Sequence, residues 1–417
     1  MPTALGHLRI CDFTGQLAGA GATKWLAAFG AEVIRIEDPV THGLWDILRP
    51  MPPFVDERRG PDFGAGFNNH NVEKLGITLN LRTERAREIL AEIVKRSDVV
   101  SENFAKGVLE RWGFGYERLK QLKPDIIYVS NCGFGQVGPY SDWKTWGPIV
   151  QAISGITHLS GHPGREPAGW GYSYMDHTGG MYMAMAILLA LVHRQRTGEG
   201  QWVDMSCTDA GLSLTGTALL DYTVNGRPSR REGSPDSNHS ASPEMAPHGI
   251  YPCRGDDEWI GIACRSDDDW RKLAAKIGAS ESTNSDWVRD ARFSSLAGRI
   301  AAQEALDAQL ASFTRAHEKF ALARELQVAG VPAAAVARPQ ERIDQDENTA
   351  AWGLWPTVTH TKMGRVRVDG LPAHLSKTDW KIERGGPCLG EHTELVLNRV
   401  LGMSADDVAK LRAEGVV

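Results

Sequence analysis

The sequence predicts an α/β protein: a large domain built on a parallel sheet, joined to a smaller α+β domain. Three observations lead there. The 417 residues exceed what one hydrophobic core serves, so two domains are expected. The N-terminal stretch "LRICDFTGQLAGAGATKWLAAFGAEVIRIEDP" alternates short apolar runs with a helix-prone segment, the pattern of a βαβ unit. Beyond residue 222, "NGRPSRREGSPDSNHSASPEMAP" is rich in Ser, Pro and charge and nearly free of large apolar side chains, as a linker or mobile loop is.

Within the first unit, 8–13 reads as a strand, 20–29 as a helix with Leu26 and Phe29 on its apolar stripe, and 33–36 as a second strand. Gly30 stands where a helix C′ glycine belongs. A second unit follows: a strand at 74–81, an amphipathic helix at 84–96, a strand at 98–102, and another in "DIIYVSNCGFG". A buried helix at 179–195 leads to a strand in "GQWVDMS". "GIYPCRGDDEWIGIAC" predicts a hairpin turning at 255–257, and helical patterns occupy 267–278 and 300–330. "VAGVPAAAVARP" is strand-like, and a last helix lies near 404–414. The expected division is 1–222 for the first part of the large domain, 223–330 for the linker and small domain, and 331–417 for a segment completing the large domain.

Composition narrows the function. With 24% charged residues and a net charge of −6, nothing in the composition suggests a basic surface for nucleic acid. Its six cysteines form no C-x-x-C pair and no Cys/His zinc spacing, so free cytosolic thiols are expected and no metal. The N-terminus lacks a signal-peptide pattern, and the longest apolar run, 181–192, is shorter than the roughly 20 residues a bilayer requires. A soluble cytoplasmic protein without membrane partners is expected. The 13 tryptophans point to large amphipathic surfaces, in a pocket or an interface.

The glycine loop at 15–21, with Glu37 and Asp38 closing the second strand, makes the large domain Rossmann-like. The dinucleotide fingerprint is incomplete, however, because "GAGATK" puts Lys24 where its last glycine belongs. A helix start cradling a phosphate fits better. No Walker A, HExxH, GxSxG or EF-hand pattern occurs. Lys74, Arg82 and Arg111 are candidate phosphate partners or plain surface charges, and Glu102 with Asn103 ends a strand where ligand crevices form. The singular feature is Asp176 in "SYMDHTGGMYMAMAILLALVHRQR". It is a lone carboxylate before a long apolar helix. It reads either as an N-cap or as a nucleophile with the backbone amides of Gly179 and Gly180 ready to stabilise an oxyanion.

Several segments together resemble the class III (family III) CoA-transferases: "DFTGQLAGAGAT", "GAEVIRIEDP", "EKLGITLNL", "SENFAKGVLERWGF", "YVSNCGFGQVGPY", "RTGEGQWVDMS", "AGVPAAAV" and "LGEHTELV". They follow the family's order over essentially the whole chain. Among members, "MAPHGIYPCRGDDEW" is most similar to the aryl- and benzylsuccinate-type enzymes. The resemblance implies that Asp176 is the acyl-accepting nucleophile. It places Leu79, Leu81 and Arg82 along the adenine slot, and Asn103, Phe104, Ala105 and Arg111 along pantetheine and phosphates. Gln16, Leu17 and Ala18 would lie near the thioester. It further implies an interlocked dimer, of identical chains or with a homologous partner, and CoA thioesters as substrates, with no permanently bound cofactor.

Two departures modify this expectation. Formyl-CoA transferases carry an Arg after the Glu of the second strand, and here Asp38 stands there. Their Tyr-Glu pair before the next helix is replaced by Trp146 and Gly147, which argues for a wider substrate pocket suited to Trp143, Trp146 and Trp170. The related α-methylacyl-CoA racemases place a base histidine where Gly147 stands, and without a base no α-proton is lifted. The expected activity is CoA transfer, probed against two rivals: a racemase-like isomerase and an inactive CoA-binding subunit.

Overall fold

The computed structural model describes residues 3–160, 165–171, 173–229, 237–279 and 285–417. The centre of the polar stretch, 230–236, lies outside them. The chain divides into two compact units: 1–160, 168–219 and 347–417 form the larger, 161–167 and 220–346 the smaller.

The larger unit holds six parallel strands: β1 (Arg9–Asp12), β2 (Glu32–Glu37), β3 (Leu75–Thr78), β4 (Val99–Glu102), β5 (Ile127–Cys132) and β6 (Trp202–Ser206). Their spatial order is β3-β2-β1-β4-β5-β6. Ile10 lies opposite Val33 on one side and Val99 on the other, so the order reverses between β1 and β4. In a doubly wound sheet, that switch point is where a ligand crevice opens beyond the strands' carboxyl ends.

Both faces are covered over β1 to β5, so residues pointing to either side are buried along these strands, charged ones included. One face buries Cys11, Ile34, Ile77, Val100 and Tyr128 under helix α2 (Glu84–Val94) and the two C-terminal helices, which contribute Val396, Leu397 and Leu411. The other buries Ile10, Val33, Val99 and Ile127 against α1 (Ala18–Ala28) and Met183, Ile187 and Ala190.

In the smaller unit, His248–Pro252, Trp259–Ala263 and Ala333–Ala335 form an antiparallel sheet. Trp270, Leu273, Leu306, Phe313 and Leu326 cover it. The expected helix at 300–330 is two helices, Gln303–Thr314 and Lys319–Val328. The expected return at residue 331 is also corrected: Ala333–Ala335 pairs with Ile260–Ile262, so this unit continues to Asp346.

Candidate active site

Asp12, at the end of β1, organises the loop that enters α1. Its Oδ1 accepts from Thr14 N at 3.0 Å, Thr14 Oγ1 at 2.6 Å and Ser101 Oγ at 2.9 Å. Its Oδ2 accepts from Thr23 Oγ1 at 3.0 Å and lies 3.3 Å from Lys74 Nζ. Burial alone would push Asp12 up, but Lys74, Arg35 and the Thr14 hydrogen bonds hold it below the ordinary carboxylate value. Neither sequence reading of Lys74, a phosphate partner or a plain surface charge, holds. The residue is fully buried, with Nζ also donating to Asn71 Oδ1 at 2.9 Å. Arg35 pairs with Asp46 at 2.6 Å, and Arg49 Nε donates to Glu37 Oε1 at 2.7 Å. These buried pairs stiffen the β1–β2 edge of the crevice.

Across the switch point, Asn103 clamps the glycine loop. Its Oδ1 accepts from Gly15 N at 2.7 Å and its Nδ2 donates to Gly15 O at 3.0 Å. Gln16, next in the loop, holds a left-handed φ of 55°, an unfavoured state for a non-glycine residue that tends to persist at functional sites.

Two cavities share part of a wall, and the smaller one adjoins this loop. The first, about 730 Å³, has an apolar interior that includes Phe13, Leu79, Leu81, Trp45, Phe104 and Trp112, with Arg82, Arg87 and Arg111 also lining it. The second, about 330 Å³, is lined by Gly15, Gln16, Asn103, Ala105, Lys144 and Trp146, among others. Trp45 and Phe104 line both, with ring centroids 5.1 Å apart, and Phe104 also meets Trp112 edge-on at 5.5 Å. Asp38, standing where an Arg was expected, receives Arg82 Nη1 at 3.1 Å at the first cavity.

Asp176 belongs to helix α4 (Tyr174–Thr197). Ser173, at φ 43°, occupies the N-cap position, so Asp176 sits inside the first turn and not at the cap, the rival reading of it. Burial pushes its carboxyl above the ordinary value, opposed by a hydrogen bond from the Ser173 side chain and by nearby His177. Gly147 opens helix α3 (Gly147–Ile153) directly against it: a Cβ there would stand 2.7 Å from Asp176 Oδ2. Trp146, the preceding residue, lines the second cavity, while Gly147 and Asp176 line neither. Cys132, on the cavity wall, and Asp176 both push the Cys207 thiol up beyond what burial does.

Other expectations change. Gly179 and Gly180 are not open oxyanion donors. They lie inside α4, past the free amides of its first turn. They serve packing: a Cβ on Gly179 would lie 2.6 Å from Cys207 Sγ, and one on Gly180 2.6 Å from Ala18 O. Leu17 and Ala18 are buried and line neither cavity, Leu17 packing with Leu48 and Phe67. Trp170 also stands apart from both cavities, 5.1 Å from the Tyr174 ring. Conversely, sequence reading missed Trp45, Trp112, Arg87, Lys144 and Cys132 as lining residues. The lone Trp in "THGLWDILRP", apart from any apolar run, was the available signal for Trp45.

Fold and site together show a crevice at the sheet's switch point, an arginine-bearing apolar slot, a smaller cavity sharing its wall, and a half-buried carboxylate against Gly147. The model of CoA-transferase family III matches residues 5–393, and the chain belongs to that family of enzymes acting on CoA thioesters. It is 31% identical to the succinyl-CoA–D-citramalate CoA-transferase of Chloroflexus aurantiacus, over all of this chain and 98% of that protein. It is also 31% identical to the succinate–glutarate CoA-transferase of Agrobacterium fabrum, covering 94% of each. A CAIB/BAIF family protein from Brucella suis matches in structure with a TM-score of 0.84 at 31% identity, over 96% of this chain and all of that one.

Proposed function

We propose that the chain moves CoA from succinyl-CoA to a bulky or aromatic carboxylic acid, such as benzylsuccinate, through an aspartyl-CoA thioester on Asp176. The observation that carries this is the Asp176 carboxyl facing a bare Gly147, next in the chain to Trp146 on the second cavity's wall. The succinyl donor is taken over from the Chloroflexus relative's name. The bulky acceptor is inferred from Trp143 and Trp146 on the second cavity's wall.

In the first step an Asp176 oxygen attacks the thioester carbonyl, the C–S bond breaks, and a mixed anhydride and CoA thiolate form. The thiolate attacks the Asp176 carbonyl, releasing succinate and leaving Asp176 as the CoA thioester. The acceptor carboxylate attacks that thioester and expels the thiolate again. Thiolate attack on the acceptor's acyl carbon then frees Asp176 and the new acyl-CoA. No net proton moves. The positive end of α4 favours the anionic states at its first turn. Arg82, Arg87 and Arg111 bind CoA phosphates in place of the missing cation at position 38, with the base among the apolar side chains. Arg111→Ala is expected to raise KM for acyl-CoA about tenfold and to flatten its dependence on salt. Steady-state kinetics at two ionic strengths checks this.

Helix α4, at 24 residues, is longer than the expected apolar run and passes the length and composition of a membrane span with only 39% of its most apolar window buried. Met181, Met185, Leu188, Leu189 and Val192 form an exposed stripe at helical spacing. We read it as covered by a second copy in an interlocked dimer. Light scattering should return twice the 45.6 kDa chain mass. A stable monomer at micromolar concentration would sink the dimer, and binding only to a homologous chain would replace the second copy.

A further inference from the structure

Glu102 ends β4 at the switch point and is 2% exposed. The other buried carboxylates among the described residues each have a cation within 4 Å. Asp12 has Lys74, Glu37 has Arg49, Asp46 has Arg35, Asp62 has Arg49 and Lys362, and Asp269 has Arg265. Glu102 has none, and only neutral groups donate to it. Phe104 N lies 2.7 Å from Oε2, while Tyr128 Oη and Gln136 Nε2 lie 3.3 and 3.4 Å from Oε1. Ser130, whose oxygen accepts from Trp202 Nε1 at 3.2 Å, adds a further hydrogen bond.

A buried carboxylate without a cation is unusual, because removing its charge from water is costly. What it holds here is telling. The Phe104 amide belongs to the residue whose ring lines both cavities and packs on Trp45 and Trp112. The preceding residue, Asn103, clamps the glycine loop. We propose that Glu102 is a positioning residue for the CoA-binding loop, its ionised form fixing Phe104 between the two cavities and its protonated form loosening it.

The surroundings set the direction. Burial is the largest influence and raises Glu102 to about 7. Glu110 pushes the same way, against the Ser130, Phe104 and Tyr128 hydrogen bonds. The titratable groups facing it from β5, Tyr128 and Cys132, are themselves pushed up by burial and by Glu102. Asp204 on β6 accepts from Gln136 N at 2.8 Å. Above the transition, the carboxylate takes the Phe104 amide in a charge-assisted hydrogen bond. Below it, the bond is between neutral groups and weaker.

The kinetic arm of the test rests on the CoA-transfer reading, and the optical arm does not. KM for the acyl-CoA donor should rise about fivefold from pH 8 to pH 6 in the wild type, a hydrogen bond's ordinary worth. In Glu102→Gln, which keeps an acceptor but no charge, KM should hold the acidic-limb value at both pH values. kcat should change with pH in the same way in both proteins. Without any ligand, fluorescence from Trp45 and Trp112 should shift over the same pH range in the wild type and not in the variant. Should Glu102→Gln fail to fold, infrared spectra of Asp176→Asn decide, since a protonated-carboxyl band should still grow between pH 8 and 6. A flat wild-type KM, an unchanged inflection in Glu102→Gln, or no such band overturns the proposal. Absent transfer activity with the fluorescence shift intact would instead count against the transferase reading alone.

Discussion

Asp176→Asn should lower CoA transfer by several orders of magnitude while leaving the melting temperature equal to or above that of the wild type. The two halves have separate causes. Asparagine keeps the shape and a carbonyl acceptor for Ser173, but it offers no anionic oxygen to attack a thioester. Burial raises the Asp176 carboxyl, so the folded protein binds its proton more tightly than the unfolded chain does. The stability linked to that proton is fully present below the unfolded value and is lost as pH rises through the folded one. At neutral pH the charge therefore weakens the fold, and the neutral amide removes that cost. Calorimetry beside an acyl-CoA transfer assay tests both halves. A peptide modified at Asp176 after incubation with donor and hydroxylamine should be found in the wild type only. Full activity in the variant would end the nucleophile reading.

The second large effect is expected at Gly147. In Gly147→Val the new Cβ would begin 2.7 Å from Asp176 Oδ2. The atom met is the end of a side chain, so the helix can form and the carboxylate swings aside. A displacement of about 1 Å at a reacting group can cost a factor of about 100. kcat should fall by that order in Gly147→Val, with KM for the donor changed little, since Gly147 lines neither cavity. A wild-type kcat in this variant would show that the facing surface is not where the thioester reacts.

The sheet was largely legible because its strands are short apolar runs bounded by glycine and turn residues, as in β1 and β5. Their spatial order was not, since no residue pattern within a strand states which neighbour it pairs with. Charge misled in a particular way. Lys74 reads in the linear sequence as a phosphate partner or a surface charge, yet Asp12, 62 residues away in the chain, pairs with it in the buried interior. Gly179 and Gly180 illustrate a second ambiguity: glycine serves an open amide and a tight helix contact equally well, and only Cys207 and Ala18 decide for the contact. The strand Ala333–Ala335 had no side-chain signature to tell one sheet from another. Asp176 stood out because nothing nearby in the chain shared its charge.

The larger unit is assembled from separated pieces of the chain, and its final pieces are Leu397, Leu411 and Val416, packed in the same cluster as Ile77 and Val100. During synthesis, the ribosome releases the entire smaller unit before those residues exist outside the exit tunnel. The parallel sheet therefore waits, with one face unsealed, while a later-encoded body has already closed. A premature stop near the C-terminus strips away no catalytic group; it leaves apolar surface over β3 open to chaperones and proteases.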